Sequence, residues 1–203
     1  MEFSLLGVSG ILAAVWMCFG VIYVSRLIPG YSHSNDVMSA LGAKGSPASK
    51  VHPYINNYPI GILFFLFGCY LYSNSQNSWL LLVSGVLVMA HGISHIVAGI
   101  FPCDEDIASN NPSNTQKVHM AAGLVMQISL LVASGIWSFS EISLSAWFRW
   151  LSVLCLSTSI IFLILMVWAM KKGRYVGLYQ RISVGALVVW VAILNGVLLG
   201  FHS

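Results

Sequence analysis

Three histidines that could supply metal-binding or proton-transferring nitrogen atoms lie in or beside apolar segments of this 203-residue chain. His91 and His95 are four residues apart and therefore share one face of a helix, and His119 opens the next apolar segment. With Asp36 or Asp104 as a fourth ligand, these three histidines would resemble a catalytic zinc site, which keeps one position open for water. The alternatives are neutral imidazoles that hydrogen-bond between helices, or axial ligands of a buried haem.

A second set of polar residues lies in the loop between the first two apolar segments. It comprises Tyr31, His33, Asp36 and Ser39. At the mouth of a pocket, an acidic group near a histidine could bind a cation or transfer a proton.

The same loop also has the pattern of a short interfacial helix. Ser34 or Asp36 could accept a hydrogen bond from its first free amides, and an apolar face would end in Leu41. Gly42 could then end the helix in the left-handed conformation. In this interpretation Asp36 is a cap and not a ligand.

Six long apolar segments, separated by polar loops, would position these residues. Hydrophobic residues make up 58% of the chain and charged residues only 7%. A bilayer core about 30 Å thick needs roughly 20 apolar residues, and backbone groups in lipid must be satisfied within the segment. The sequence therefore predicts an all-α, polytopic bundle of six transmembrane helices in one domain, residues 1–203. The spans are about 5–25, 58–72, 79–101, 118–139, 150–170 and 182–201.

Polar side chains inside these spans are costly and therefore informative. His91 and Gln127 lie at similar depths, about 15 Å from the same end, at 1.5 Å per residue. They could face each other. Asn195 and the pair Ser157 and Thr158 likewise fall at matching depths in the sixth and fifth spans.

The loop after the third span contains three adjacent carboxylates, from Asp104 to Asp106. They could hold a hard cation such as Ca²⁺ or Mg²⁺, although the regular spacing of a calcium loop is missing. Alternatively, an ion pair such as Asp104 with Arg181 could join two loops.

Basic residues are concentrated in or beside loops one, three and five. Eight of the nine Lys and Arg residues lie there, and only Arg149 lies on the opposite side. The positive-inside rule places these loops in the cytoplasm and both termini outside. Because the charges are spread along the membrane edge and form no basic domain, we expect membrane lipid and not nucleic acid as a partner.

Five parts of the chain resemble the domain of unknown function 998 family, and together they extend over nearly the whole sequence. They are Tyr31–Gly42, Asn57–Gly61, Gly99–Asp104, His119 and Gly177–Arg181. The resemblance implies a compact six-helix protein of prokaryotic inner (plasma) membranes. The loop pattern Asp-x-x-Ser-x-Leu-Gly, from Asp36 to Gly42, is also similar to that of the Frag and DRAM membrane proteins, which are linked to lipid handling.

Three functions are compatible with these patterns, and the sequence does not decide whether the protein is an enzyme. The leading hypothesis is a lipid or small amphiphile bound in a cavity that opens at the face of loops one, three and five. The alternatives are a metal-dependent hydrolase or transferase acting on a lipid, with zinc at His91, His95 and His119, and a small transporter. The predicted ligand-binding residues are Tyr31, His33, Asp36, Ser39, Asn57, Asp104, His119, Gln127 and Arg181.

Overall fold

The structure, a computed structural model, describes residues 5–107, 109–140 and 145–201. Within these ranges it contains helices and no strand, so the predicted all-α fold is confirmed. Six helices are long and apolar enough to cross a membrane. They are α1 (Leu5–Ser25), α2 (Tyr58–Ser73), α3 (Trp79–Ile100), α4 (Asn114–Phe139), α5 (Ala146–Met170) and α6 (Val176–Phe201).

Three of the helices begin earlier than the apolar windows suggested. α4 begins at Asn114 because the Ser113 hydroxyl accepts a hydrogen bond from the backbone N–H of Gln116 at 3.2 Å. Ser145 caps α5 in the same way, and α6 begins at Val176. A side-chain cap satisfies an amide that the first helical turn leaves free, so the two serines allow α4 and α5 to begin before their apolar stretches.

The six helices form a closed ring. Helices adjacent in the chain are in contact, and α1 packs against α6. The side chain of Asn195 joins these two, since its Nδ2 donates to the carbonyl of Gly7 at 2.5 Å and its Oδ1 accepts from the amide of Ile11 at 3.0 Å. The hydrogen-bond partners of Asn195 therefore lie on α1, whereas the sequence had suggested partners on α5.

Two glycine pairs bring α2 and α3 together at backbone contact. A Cβ on Gly68 would lie 2.8 Å from the carbonyl oxygen of Gly85, and a Cβ on Gly92 would lie 2.5 Å from that of Gly61. Small residues let membrane helices approach this closely. The contact fixes the face of α3 that carries His91 beside the start of α2.

Large side chains fill the ring at the end that carries loops two and four. Trp137, Phe148 and Trp190 are fully buried there. The indole N–H of Trp137 donates to Ser84 Oγ at 2.8 Å, and that of Trp190 donates to Ser152 Oγ at 2.9 Å. The opposite end, which carries loops one, three and five and eight of the nine basic residues, is called the basic end below.

Loop one contains a short 3₁₀ helix, Met38–Gly42, and a π-helical turn, Pro53–Asn57, that leads into α2. The predicted caps of the short helix are wrong. Its cap position is Val37, without a side-chain hydrogen bond, and Asp36 Oδ2 instead accepts from the backbone N–H of Ser32 at 2.7 Å. Gly42 does not have a positive φ; the ring of His52 lies where a Cβ on Gly42 would be.

Candidate functional site

A cavity of about 640 Å³ lies inside the ring, and we call it the central cavity. All six helices and loop one contribute to its wall; five of the helices do so from the half nearer the basic end, and α4 from a longer stretch, 119–131. Much of the wall is apolar, with side chains such as Leu130, Met166 and Leu187. The volume falls within the range of about 300–1,000 Å³ that small-molecule sites have in proteins.

Four histidines line this cavity, namely His52, His91, His95 and His119. The ring centroids of His91 and His95 are 4.9 Å apart, and the two planes are inclined by 66°. His91 Nδ1 is 2.9 Å from the carbonyl oxygen of Met126, which is an interhelical hydrogen bond between α3 and α4.

His119 joins the same two helices closer to the basic end. Its Nδ1 lies 2.9 Å from the carbonyl oxygen of Phe101 and 3.2 Å from that of Ala98. These carbonyls belong to the last turn of α3, whose final carbonyl groups have no partner within the helix. His119 therefore closes the end of α3 through one ring nitrogen.

The zinc hypothesis stays a prediction, with little geometric support. Among residues 5–107, 109–140 and 145–201, no three His, Cys, Asp or Glu side chains are grouped so that they could hold a metal ion. Neither of the suggested fourth ligands, Asp36 and Asp104, lines the central cavity. The carboxylates of both accept hydrogen bonds elsewhere.

Several polar atoms without a protein partner belong to residues that line this cavity. The Nδ2 and Oδ1 atoms of Asn56, Oδ1 of Asn57 and Nε2 of His91 are buried and have no hydrogen-bond partner. These three residues are only 4%, 7% and 3% exposed, respectively, and all three line the cavity. Nearly all buried polar groups in proteins are hydrogen-bonded, but each of these atoms has almost no accessible surface, so a partner would reach it only after a shift of its side chain.

Gln127 also lines the cavity, but its side chain is engaged. Its Nε2 donates to Ser159 Oγ at 3.0 Å and to Ser183 Oγ at 3.1 Å. The amide therefore joins α4 to α5 and α6. His91, which was expected to face it, is bound to Met126 instead.

Arg181 anchors loop one to the start of α6. Its Nη1 donates to the carbonyl oxygens of His33 at 2.7 Å and Asp36 at 2.8 Å, and its Nη2 donates to the Tyr31 hydroxyl. Burial raises the pKa of Tyr31, and the arginine opposes that shift. Burial and the nearby arginine charge lower the pKa of His33. None of these four residues lines the central cavity.

A second polar contact joins loop one to loop three. Lys44 Nζ lies 2.8 Å from Asp104 Oδ1, and both contact the Ser113 hydroxyl. The hydrogen bonds from Lys44 and Ser113 lower the pKa of Asp104 to about 2. The expected Asp104–Arg181 pair is therefore wrong, because Lys44 is the partner of Asp104 and carbonyl oxygens occupy Arg181.

Comparison with protein families gives one match, over residues 11–196, to the family described as "Protein of unknown function (DUF998)". The chain belongs to this family. Comparison with curated proteins and with solved structures found no match. The multi-pass membrane architecture expected from the resemblance is confirmed for this DUF998 protein by its six apolar helices.

The residues that the sequence suggested for a site fall into two groups in the DUF998 fold. One group lines the central cavity: Ser39, Asn57, His91, His95, His119 and Gln127. The other lies in the contacts between loops at the basic end: Tyr31, His33, Asp36, Asp104 and Arg181. The sequence interpretation missed His52 and Asn56. The only available signal was a polar pair, Asn56 and Asn57, placed directly before an apolar span.

One wall of the central cavity reaches the outside of the bundle. Met120, Leu124 and Ile128 line the cavity, yet they are 58%, 60% and 48% exposed. They are spaced by four residues and therefore form one stripe of α4. Gly123 lies beside this stripe and lines the cavity, and a Cβ there would meet nothing within 4 Å. The cavity of this DUF998 protein thus continues to the surface of the bundle alongside α4.

Proposed function

We propose that this protein binds a lipid or another small amphiphile in the central cavity. The observation that carries the proposal is a cavity whose wall is largely apolar, contains four histidines and reaches the exposed stripe of α4. A ligand with one polar end would lie beside polar side chains such as His95 and Asn56, while its apolar part would contact side chains such as Leu130 and Leu187.

The exposed stripe on α4 supports a ligand that comes from the bilayer. Met120, Leu124 and Ile128 belong to a helix that is apolar enough to span the membrane, so their exposed surface faces lipid. An amphiphile could enter sideways past these side chains without crossing the loops. A water-soluble ligand would find no polar path along this stripe.

We further propose that the basic end faces the cytoplasm and that both termini lie outside. The support is the excess of Lys and Arg at one end, which follows the positive-inside rule. Cysteines introduced at Lys50 and Asn77, in loops one and two, test this with a membrane-impermeant maleimide. We expect Asn77→Cys to react in intact cells and Lys50→Cys to react only after lysis; the reverse pattern would overturn the orientation.

The binding proposal is tested on protein extracted with its native lipids in a styrene–maleic acid copolymer. Bound lipids are identified by mass spectrometry for the wild type, for Asn56→Leu and for Asn77→Leu. Asn77 is exposed in loop two and serves as the matched control. We expect one lipid species to be enriched about stoichiometrically in the wild type and in Asn77→Leu, and to be depleted in Asn56→Leu.

The same samples also decide between the proposal and the metal-dependent alternative. A lipid profile that is identical in all three proteins and equal to that of the bulk membrane would contradict the binding proposal. Elemental analysis that finds one equivalent of zinc, lost in His91→Ala, would favour a hydrolase or transferase instead.

A further inference from the structure

Loop five, residues 171–175, joins α5 to α6 at the basic end and carries three basic side chains within four positions. They are Lys171, Lys172 and Arg174, and all three are exposed. None of them has an ion pair with an Asp or Glu among the residues that the structure describes. Their positive charges are therefore not neutralised by acidic side chains of the described protein.

Two exposed aromatic side chains place these charges at the level of the membrane surface. Trp168, in the last turn of the apolar helix α5, is 59% exposed, and Tyr175 is 44% exposed. Trp and Tyr are enriched where the bilayer core meets the headgroups. Lys172 Nζ lies 3.9 Å from the centroid of the Trp168 ring, and Arg174 Cζ lies 5.3 Å from that of Tyr175. These cation–π contacts hold two of the charges beside the aromatic rings.

Loop one fixes the backbone that carries these charges. Tyr175 has a φ of 63°, a left-handed conformation that is uncommon outside glycine. Its backbone N–H donates to Asn35 Oδ1 at 3.1 Å, and the N–H of Gly177 donates to the carbonyl oxygen of Asn35 at 3.3 Å. Because the turn is held in one conformation, a ligand that binds there has less loop to order.

An apolar stripe of α5 leads from the bilayer to this group of charges. Ile164, Val167, Trp168 and Lys171 are spaced by three and four residues and therefore share one face of the helix. All four are exposed, so the apolar part of the stripe faces lipid. None of these residues lines the central cavity. The stripe and loop five thus form a surface separate from the site proposed above.

We propose that loop five binds the phosphate of an anionic phospholipid, such as phosphatidylglycerol, whose chains lie along this stripe of α5. Lys171, Lys172 and Arg174 supply the positive charge and the N–H donors that bind phosphate. Ile164 and Val167 contact the chains. Basic residues near a membrane surface each add to the attraction for anionic lipid, whereas a zwitterionic lipid brings a positive group of its own. The proposal does not depend on a ligand in the central cavity.

The test is native mass spectrometry of the full-length protein, titrated in detergent with phosphatidylglycerol or with phosphatidylcholine of the same chains. We expect phosphatidylglycerol to bind at least about tenfold more tightly. The double variant Lys171→Gln/Lys172→Gln should weaken this binding about tenfold and leave phosphatidylcholine unchanged. The matched control, Lys50→Gln/Lys117→Gln, removes the same charge from exposed positions at the basic end. It should leave the affinity for phosphatidylglycerol within about twofold.

Three results would overturn the proposal. Equal affinity for the two lipids would show that loop five does not select an anionic headgroup. Equal losses in the two double variants would mean that binding follows the overall charge of the basic end. Complete displacement of phosphatidylglycerol by inorganic phosphate would indicate an anion site without chain contacts. The central cavity is tested separately, because none of the four substituted lysines lines it.

Discussion

Asn56 carries both ends of its amide inside the bundle without a protein partner. It fits there because α1 has Gly20 at the point of contact, where a side chain would overlap Asn56 Oδ1. A leucine at position 56 would avoid the cost of about 1–3 kcal/mol for an unsatisfied buried polar group. Asn56 also lines the central cavity, so an asparagine at this position fits the ligand binding proposed above.

His52 gives a pH dependence that can be measured. Burial, together with the nearby His119, lowers the pKa of His52 to about 4. The unfolded chain takes up this proton near pH 6.5, so the stabilisation is complete above pH 6.5 and is lost as the pH falls towards about 4. We expect the midpoint temperature of unfolding to decrease from pH 7 to pH 5, and this decrease to be smaller in His52→Gln. The exposed His33 is the control, and a His33→Gln variant that flattens the profile as much as His52→Gln would refute this assignment.

Glycines allow helices α2 and α3 to pack in close contact. Helix α3 also carries two of the histidines that line the cavity. A Cβ at Gly68 would lie 2.6 Å from the backbone N of Met89 and 2.8 Å from the carbonyl oxygen of Gly85. Neither backbone atom can move without shifting a helix. The glycines therefore determine the distance between α2 and α3, and with it the shape of the cavity wall.

Substitution at Gly68 tests this packing. We expect Gly68→Ala to lower the free energy of unfolding by about 1–3 kcal/mol, the usual cost of overpacking. Gly196 in α6 is the matched control, because a Cβ there meets nothing within 4 Å, and Gly196→Ala should be neutral or stabilising by about 0.5–1 kcal/mol. Titration of unfolding with sodium dodecyl sulfate measures both, and equal effects of the two alanines would be evidence against tight α2–α3 packing.

The exposed stripe of α4 is expected to control access to the cavity. Gly123→Trp would place an indole beside Leu124 and Met120, where space is open, and should lower the affinity for a bilayer amphiphile about tenfold without a large loss of stability. Gly185 in α6 also has open space around it but does not line the cavity. Gly185→Trp should therefore bind normally when both variants, in phosphatidylcholine nanodiscs, are titrated with radiolabelled hexadecanol. Unchanged binding in Gly123→Trp would exclude this stripe as the route.

Across the whole molecule, the sequence predicted what depends on local pattern. Hydropathy and length gave six helices, and the spacing of His91 and His95 placed them on one helix face. The sequence did not predict contacts between distant segments, because several partners were equally plausible by depth and charge. Asp104 was paired with Arg181, although Lys44 is nearer in the fold.

The candidate site was predicted in part for the same reason. Polar residues inside an apolar span stand out in a sequence, so His91 and Gln127 were recognised. Whether such an atom is already hydrogen-bonded depends on the tertiary contacts: Gln127 has partners on Ser159 and Ser183, whereas Asn56 has none. The ring closure between α1 and α6 creates the cavity, and hydropathy contains no information about it.

The most direct test of the central claim is photo-crosslinking in native membranes with a long-chain alcohol that carries a diazirine, with the labelled residues mapped by peptide mass spectrometry. We predict labels on cavity residues such as Leu130, Met166 and Leu187, and competition by unlabelled hexadecanol. Labels confined to lipid-facing residues outside the cavity, such as Leu154 and Ile161 of α5, and insensitive to competitor would contradict a lipid-binding cavity.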